Sequence, residues 1–295
     1  MSVTEPPPTS LIDAANAIER QLESSLQSLG LPAHLLDAAK YAVVNGGKRV
    51  RPALTLLCSE AVGGTQQQAM SAAIAVEYIH CFSLVHDDLP AIDNDKLRRG
   101  KPTLHIHAGE AMAVLAGDLL LPLAFLQLNQ NTYPKKQQNR LVMELATATK
   151  DMVVGQVFDT IGGLPKHLTP LEGLKEIHSN KTGALIKCAC VMGAICGGAD
   201  EPKLQSIIAF GEATGLMFQI VDDLIDLHGD ANHVGKATRK DAVAGKTTYP
   251  GTIGPDASKE AVYSLKNQAD KALKLLGESG ETLRSFNLWM AQRTR

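Results

Sequence analysis

Two short acidic runs hold the residues best suited to chemistry. Four aspartates fall within nine residues of "HDDLPAIDNDKLRRGKPTLH" (86–105), and three fall within five residues of "QIVDDLID" (219–226). Carboxylates this close repel one another, and burying them without a partner raises their pKa. Mg²⁺ prefers oxygen ligands and is typically held by one or two carboxylates together with substrate phosphates. Both runs therefore predict metal sites.

The second run reads as one face of a helix. Asp222 and Asp226 are four residues apart, and Gln219 precedes Asp223 by four. Side chains at this spacing lie on the same face of an α-helix, one turn apart. The run predicts a helix that presents carboxylates and an amide to a shared site.

The first run has to leave its helix. Pro90 lacks a backbone donor and disfavours a helical residue before it, so we expect Asp93 and Asp95 to return from a loop. The letters "FSLVHDDL" (82–89) are echoed by "FQIVDDL" (218–224), so both acidic runs follow an apolar helical stretch. We predict two helices that present their carboxylates to each other.

Basic residues gather at glycine-bearing breaks. The segments are "GGKRVRP" (46–52), "LRRGKPT" (97–103), "NKTG" (180–183), "VGKATRKD" (234–241) and "AGKTTYP" (244–250). Beside metal sites, separate groups of Lys and Arg favour pockets for two diphosphate groups. The formal net charge of −2 argues against a nucleic-acid partner, because there is no basic excess to neutralise a phosphate backbone.

The elements that must position these residues are helical. Apolar residues recur at spacings of three and four, and aromatic residues make up only 4 % of the chain. Breaks are predicted at 45–52, 62–65, 89–103, 129–134, 162–170, 196–202, 227–251 and 277–282. We predict one all-α domain over 1–295, a single large bundle of roughly ten or more helices around a central cavity. Residues 1–10 are expected to be a flexible N-terminal tail.

The composition also suggests where the protein works. The longest apolar segments are interrupted by Asp118, Pro122 and Lys187, so we expect no membrane span and no stable membrane anchor. The N-terminal residues lack the features of a signal peptide. The five cysteines show no CxxC spacing, which favours reduced, buried thiols in a cytoplasmic protein.

Five motifs together resemble a known family. "GGKRVRP", "HDDLPAIDNDKLRRGKPTLH", "KTGALI", "FQIVDDLID" and "GKTTYP" occur in the order and at roughly the spacing of the trans-isoprenyl diphosphate synthases. The chain looks most like the bacterial-type farnesyl diphosphate synthases. The resemblance implies the all-α isoprenoid synthase fold, a homodimer, and condensation of isopentenyl diphosphate with an allylic diphosphate.

The resemblance also implies roles for individual residues. Metal would be bound by Asp87, Asp88, Asp93, Asp222, Asp223 and Asp226, with about three Mg²⁺ ions per active site and Mn²⁺ as a substitute. The allylic diphosphate would contact Arg98, Lys181, Gln219, Lys236 and Lys246. The isopentenyl diphosphate would contact Lys48, Arg51, His80 and Arg99. The polar residues near the allylic carbocation, which forms when the diphosphate leaves, would be Lys181, Thr182 and Gln219. The loop 228–248 would be a lid over the site.

Product length is predicted from Phe82 and Ser83. Phe82 precedes Asp87 by five residues, a rise of about 7.5 Å along a helix. In the family, a bulky aromatic residue at this offset forms part of the floor of the cavity that holds the growing prenyl chain. Members with such a residue make a fifteen-carbon product. Ser83 is small and adds little obstruction. We therefore expect mainly (2E,6E)-farnesyl diphosphate, with some geranyl diphosphate released early.

Other functions compete with this prediction. A geranyl or geranylgeranyl diphosphate synthase would carry the same motifs. A non-catalytic subunit of a prenyl synthase would be expected to lose one aspartate cluster, and both are present. Terpene cyclases and head-to-head condensing enzymes do not normally need "GGKRVRP" with His80, and the basic residues count against a metal-storage protein.

Overall fold

A computed structural model describes residues 6–27, 29–129, 133–228 and 247–293. The helices in these ranges are α1 Thr9–Gln27, α2 Ala33–Val44, α3 Val50–Ala61, α4 Gln66–Asp87, α5 Leu104–Ala108, α6 Glu110–Gln127, α7 Lys135–Thr160, α8 Pro170–His178, α9 Ala184–Cys196, α10 Glu201–His228, α11 Tyr249–Ile253, α12 Pro255–Ala272 and α13 Glu281–Gln292. A π-helical turn, Ser179–Gly183, joins α8 to α9, and a 3₁₀ helix, Leu273–Gly280, joins α12 to α13. A short antiparallel hairpin, β1 Leu97–Arg98 and β2 Lys101–Pro102, lies between α4 and α5.

The core is built around α9. Every residue of α9 except Lys187 is buried, and the helix packs against α3, α4, α7 and α10. Two of these neighbours, α4 and α10, end in the two acidic runs. Thr65 starts α4 with a capping box closed by Gln68, which satisfies backbone donors at the helix end. The central helices therefore deliver both carboxylate clusters from one packed core.

The predicted fold class is confirmed, and so is the expected number of helices. The predicted breaks coincide with helix ends throughout the described ranges. Four features were not predicted: the hairpin, the π-helical turn, the break between α1 and α2, and the start of α1 at Thr9, inside the expected tail. All five cysteines are buried and unpaired in disulfides, as expected of reduced thiols.

Three of the described helices, α4, α6 and α10, are long and apolar enough to cross a membrane by length and composition alone. This differs from the expectation drawn from uninterrupted apolar runs. The apolar stretch is 72 % buried inside the protein in α4 and 61 % buried in α10, so packing in the core accounts for the apolar residues of these two helices. In α6 only 39 % of the apolar stretch is buried. The expected absence of a membrane span stays a prediction.

Candidate active site

The first acidic run closes α4. Burial raises the pKa of Asp87 to about 6, with Asp93 and Asp88 adding to the shift and Lys181 and Arg98 opposing it. The Asp93 backbone N–H donates to the Asp87 carbonyl at 2.9 Å, so the chain turns back on the helix end as Pro90 predicted. A carboxylate that is partly buried among others is stabilised by a cation.

The neighbouring Asp88 already has a cationic partner. Asp88 is 4 % exposed, and its carboxylate accepts from Arg98 Nε at 2.9 and 2.8 Å and from Arg98 Nη2 at 2.5 Å. Arg98 lies on β1, so the hairpin brings this guanidinium over the end of α4. The predicted roles of Asp88 on metal and of Arg98 on the allylic diphosphate stay predictions, and here the two residues bind each other.

The second acidic run also combines a partly exposed aspartate, Asp222, with a buried one, Asp223. Asp222 is 41 % exposed at its side chain and accepts from Arg293 Nη2, which comes from the end of the chain beyond α13. The Arg293 guanidinium lies over the Phe218 ring, 4.8 Å from its centroid. Asp226 lies one turn further along α10 and is partly exposed. The exposed edge of this cluster therefore faces a cationic side chain.

Asp223 is buried, 4 % exposed, and is surrounded by donors. Gln219 Nε2 donates to Asp223 Oδ1 at 3.0 Å, and the Tyr249 backbone N–H donates to Oδ2 at 2.9 Å. His178 Nε2 lies 3.2 Å from the same Oδ2. The hydrogen bond between Gln219 and Asp223 agrees with their expected place on one face of the helix. His178 was missed, because a histidine 45 residues away along the chain has no visible partner in the sequence.

The π-helical turn bridges the two clusters. Lys181 acts on the pKa of Asp87, while the Thr182 hydroxyl donates to Gln219 Oε1 at 2.9 Å. Lys181 Nζ itself donates to Asp159 Oδ2 at 2.6 Å. Gly155 on α7 allows the turn to approach this closely, because a Cβ there would lie 2.2 Å from the backbone nitrogen of Lys181. Asp159 is therefore the counter-ion that holds Lys181.

A basic pocket is formed by α3 and α4. Arg51 Nη1 lies 3.4 Å from His80 Nε2, and Arg51 Nε is buried without a hydrogen-bond partner among the described residues. Burial and then Arg51, Arg99 and Arg98 lower the pKa of His80 well below its usual value, so the imidazole is neutral. Burial lowers the pKa of Arg51 to about 10. A buried guanidinium with an unsatisfied N–H is suited to bind an anion.

Arg99 completes this pocket and contacts the two adjacent glycines, Gly46 and Gly47. Its Nη1 donates to the Gly46 carbonyl, and its guanidinium lies over Gly47, where a Cβ would be 2.6 Å from the Arg99 Cζ. Gly47 also has a φ of +130°, which side chains rarely adopt. Lys48 follows on the exposed side of the same segment. These residues therefore lie on adjoining elements, and their binding of isopentenyl diphosphate stays a prediction: Lys48, Arg51, His80 and Arg99.

Arg49 in the same motif has a different role. Its Nε donates to Glu19 at 2.6 Å, its Nη1 to Glu77 at 2.5 Å, and its Nη2 to the Val43 carbonyl at 2.5 Å. Burial opposes its charge, but Glu77 and Glu19 outweigh burial and raise the pKa of Arg49. Arg49 therefore links α1, α2 and α4 beneath the pocket and is not a candidate ligand residue.

The predicted floor residues lie on α4. Phe82 is partly buried, packs against the main apolar core, and meets the His86 ring edge-on with centroids 5.0 Å apart. Ser83 Oγ donates to the His80 carbonyl at 2.9 Å and is turned along its own helix. Lys236, Lys246 and most of the loop 228–248 lie outside the described residues.

Within the described residues no group of three His, Cys, Asp or Glu side chains is already arranged around a metal position. The donor chemistry nevertheless fits a hard cation. Asp87 is destabilised as an anion by its surroundings, and Asp222 and Asp226 present oxygens at a partly exposed helix face. The residues available to hold a metal-bound diphosphate are therefore present around the π-helical turn.

Comparison with known proteins identifies the family. The sequence matches the polyprenyl synthetase family over residues 32–278. It is 44 % identical over 267 residues to geranylgeranyl pyrophosphate synthase 4 of Arabidopsis thaliana, covering 90 % of this chain and 72 % of that protein. It is 46 % identical over 252 residues to the chloroplastic geranylgeranyl pyrophosphate synthase 12 of the same plant, covering 83 % and 69 %.

Solved structures agree. An FPP/GFPP synthase from Zymomonas mobilis superposes with a TM-score of 0.83 at 33 % identity, covering 96 % of this chain and 98 % of that one. A geranyltransferase from Legionella pneumophila gives 0.85 at 31 % identity, covering 97 % and 96 %. The motifs, the all-α fold and these similarities lead to one conclusion: the chain belongs to the polyprenyl synthetase family and is a prenyltransferase of the trans-isoprenyl diphosphate synthase type.

Proposed function

We propose that this prenyltransferase condenses isopentenyl diphosphate with dimethylallyl and geranyl diphosphate to give mainly (2E,6E)-farnesyl diphosphate. The observation that supports this product is Phe82, which is partly buried five residues before Asp87 and packs against the core. A chain that grows from a diphosphate held at Asp87 would meet this ring after a short run along α4. The ring would stop growth at fifteen carbons.

A twenty-carbon product is the second candidate. The Arabidopsis relatives at 44 % and 46 % identity are named geranylgeranyl pyrophosphate synthases, while the Zymomonas protein is named an FPP/GFPP synthase. These names differ in product, so similarity favours geranylgeranyl diphosphate at least as much as farnesyl diphosphate. The choice depends on whether Phe82 limits the chamber.

The metal proposed for the site is Mg²⁺, held by Asp87 and Asp93 from the first run and by Asp222 and Asp226 from the second. When bound, it would neutralise the allylic diphosphate and favour its departure as a leaving group. The raised pKa of Asp87 supports this assignment, because a cation relieves the cost of its charge. Lys181 lies beside Asp87 and would meet the departing diphosphate.

The chain's own residues would guide the carbon–carbon bond. Arg51, His80 and Arg99 would hold the second diphosphate so that its double bond faces the allylic carbon. Gln219 keeps its carbonyl oxygen turned towards Thr182 because its amide nitrogen donates to Asp223. That oxygen is a fixed dipole for positive charge that develops on the allylic group.

The test is product sizing with purified protein. Labelled isopentenyl diphosphate is incubated with dimethylallyl, geranyl or farnesyl diphosphate, and the dephosphorylated products are separated by chain length. We expect fifteen carbons from the first two starters and slow or no extension of the third. Phe82→Ala should lengthen the product, while Ser83→Ala serves as the matched control on the same helix turn. Efficient extension of farnesyl diphosphate by the unaltered enzyme would establish the twenty-carbon alternative.

We also propose that the protein is a homodimer in the cytoplasm. Apolar side chains are exposed along α6, at Val114, Leu115 and Leu126, and along α7, at Met143, Val153 and Val157. Exposed apolar side chains of this kind on both helices suit a second copy of the chain. The five buried thiols support a reducing compartment.

The homodimer is tested by light scattering after size-exclusion chromatography. Leu115→Glu should convert the dimer to a monomer, because it places a charge within the proposed interface. Leu275→Glu is the control, since Leu275 is equally exposed on the 3₁₀ helix. A monomeric unaltered protein would rule out the dimer.

A further inference from the structure

His178 occupies a junction between three parts of the site. It is the last residue of α8, directly before the π-helical turn that bears Lys181 and Thr182. His178 is 7 % exposed, and its Nε2 lies 3.2 Å from Asp223 Oδ2. The ring also stacks on Tyr249, with centroids 5.6 Å apart and planes 17° apart.

The direction of the hydrogen bonds follows from the acceptor. A carboxylate accepts, so His178 donates from Nε2, and Asp223 takes donors from three different elements. These are Gln219 on the same helix, His178 at the end of α8, and the backbone of Tyr249 at the start of α11. Both oxygens of Asp223 are therefore occupied by protein groups.

The orientation of Gln219 depends on this arrangement. A side-chain amide can turn over and exchange its oxygen and nitrogen. Here Nε2 donates to Asp223, which leaves Oε1 to accept from Thr182. An Asp223 carboxylate held in place by His178 and Tyr249 therefore determines which end of Gln219 faces the reacting group.

We propose that His178 is a positioning residue for prenyl transfer, and that Asp223 acts through His178, Gln219 and Tyr249 and not as a metal ligand. The family resemblance implied that Asp223 is a metal ligand, but both of its oxygens accept hydrogen bonds from this group of residues, which we call the His178 clamp. The proposal rests on the prenyltransferase activity but not on the product length. The function of the His178 clamp is to hold the turn that bears Lys181 and Thr182 in a fixed position against Gln219 on α10.

The kinetic test compares three variants. His178→Phe keeps the ring and loses the donor, and we expect kcat to fall about 10- to 100-fold, the effect of losing a hydrogen bond to a charged group. The KM for isopentenyl diphosphate should stay within about twofold, because Arg51 and His80 are untouched. His178→Gln restores a donor and should recover most of kcat. His34→Phe is the control, because it makes the same substitution at an exposed position of α2.

A double-variant cycle tests whether the two residues act as a unit. Asp223→Asn should lower kcat about as much as His178→Phe, and the double variant should be little worse than either single one. Additive losses would mean that the residues act independently and would overturn the proposal. The proposal would also be overturned if His178→Phe lowered only the fraction of molecules with a functional active site and left kcat per active site unchanged. That result would mean a loss of folded protein alone.

Two measurements do not depend on turnover. In ¹⁵N-histidine-labelled protein, the His178 Nε2–H proton should exchange slowly and should be lost in Asp223→Asn. Titration calorimetry with inorganic diphosphate gives the Mg²⁺ concentration needed for binding, which should rise in Asp222→Asn and stay unchanged in Asp223→Asn. Equal rises in both would place Asp223 on the metal. If the unaltered enzyme transferred no prenyl group, the proposed function would fail, whereas a missing His178 signal would refute the clamp alone.

Discussion

The two acidic runs contain the same aspartate pair, but they use it with different partners. In each pair the second aspartate, Asp88 or Asp223, is 4 % exposed and bound to protein donors. The first aspartate, Asp87 or Asp222, lies at the more open side. Adjacent residues on a helix point about 100° apart, so a pair of this kind cannot present both carboxylates to one ion equally. The second aspartate of each pair is therefore bound by protein donors, beside a first aspartate that is more open.

The partners of the two buried aspartates differ in origin. Asp88 is bound by Arg98, ten residues further along the chain, through a local hairpin. Asp223 is bound by His178 and Tyr249, which are 45 and 26 residues away and lie on other helices. Asp87 is a destabilised anion, while Asp222 is capped by Arg293. Four predictions test these differences, from the largest expected effect to the smallest.

Removing the first aspartate of either pair should nearly abolish turnover. We expect Asp87→Ala and Asp222→Ala each to lower kcat about 10³-fold or more, because loss of a metal ligand removes several kcal/mol of charge stabilisation. The fold should remain intact by circular dichroism. The measurement is single-turnover kinetics across a Mg²⁺ titration. Full activity of the unaltered enzyme in excess chelator would contradict the metal assignment.

Removing the second aspartate of the first pair should instead destabilise the protein. Asp88→Asn leaves the Arg98 guanidinium partly buried without its carboxylate, which should lower the free energy of unfolding by about 3 kcal/mol. Asp256→Asn is the control, since its side chain is 96 % exposed and that of its partner Lys259 is 53 % exposed, and it should change the free energy of unfolding by less than about 0.5 kcal/mol. Urea unfolding of the metal-free protein measures both. Equal losses would remove the distinction between the buried and the open aspartate.

The raised pKa of Asp87 predicts a pH dependence in the metal-free protein. The carboxyl binds its proton more tightly when folded, with a pKa of about 6, than when unfolded, where the ordinary value is 3.8. The contribution of Asp87 to stability is therefore largest below pH 4 and is lost as pH rises through 6, by at most about 3 kcal/mol. The difference in unfolding free energy between Asp87→Asn and the unaltered protein should grow over this window. A flat difference from pH 4 to pH 7 would show that Asp87 is not destabilised.

The smallest effect concerns Arg293, the cation on Asp222. Its Nη2 holds the oxygen that the metal would bind, so Arg293→Ala should lower the Mg²⁺ concentration for half-maximal inorganic diphosphate binding about two- to fivefold. Lys271→Ala removes the same charge from an exposed position on α12 and is the control. Titration calorimetry provides the measurement. A weaker Mg²⁺ response in Arg293→Ala would mean that this arginine supports the site and does not compete for it.

The sequence by itself determined the features that depend on local spacing. The fold class, most helix ends, the turn after Pro90 and the contact between Gln219 and Asp223 follow from residues a few positions apart, because helical geometry places them in a fixed relation. The order of the motifs was sufficient to indicate the family. The predicted metal and diphosphate ligands remain predictions, although the two acidic runs lie on α4 and α10, which both pack against α9.

Only the tertiary structure decided which of these groups bind each other. Lys181 with Asp159, Arg293 with Asp222, and His178 with Asp223 are separated by 22, 71 and 45 residues. No periodicity connects residues so far apart, because their contact depends on how whole helices pack and on small residues such as Gly155 that allow close approach. The sequence therefore showed which side chains could bind a metal and two diphosphates, and packing decided which carboxylates already have a partner in the protein.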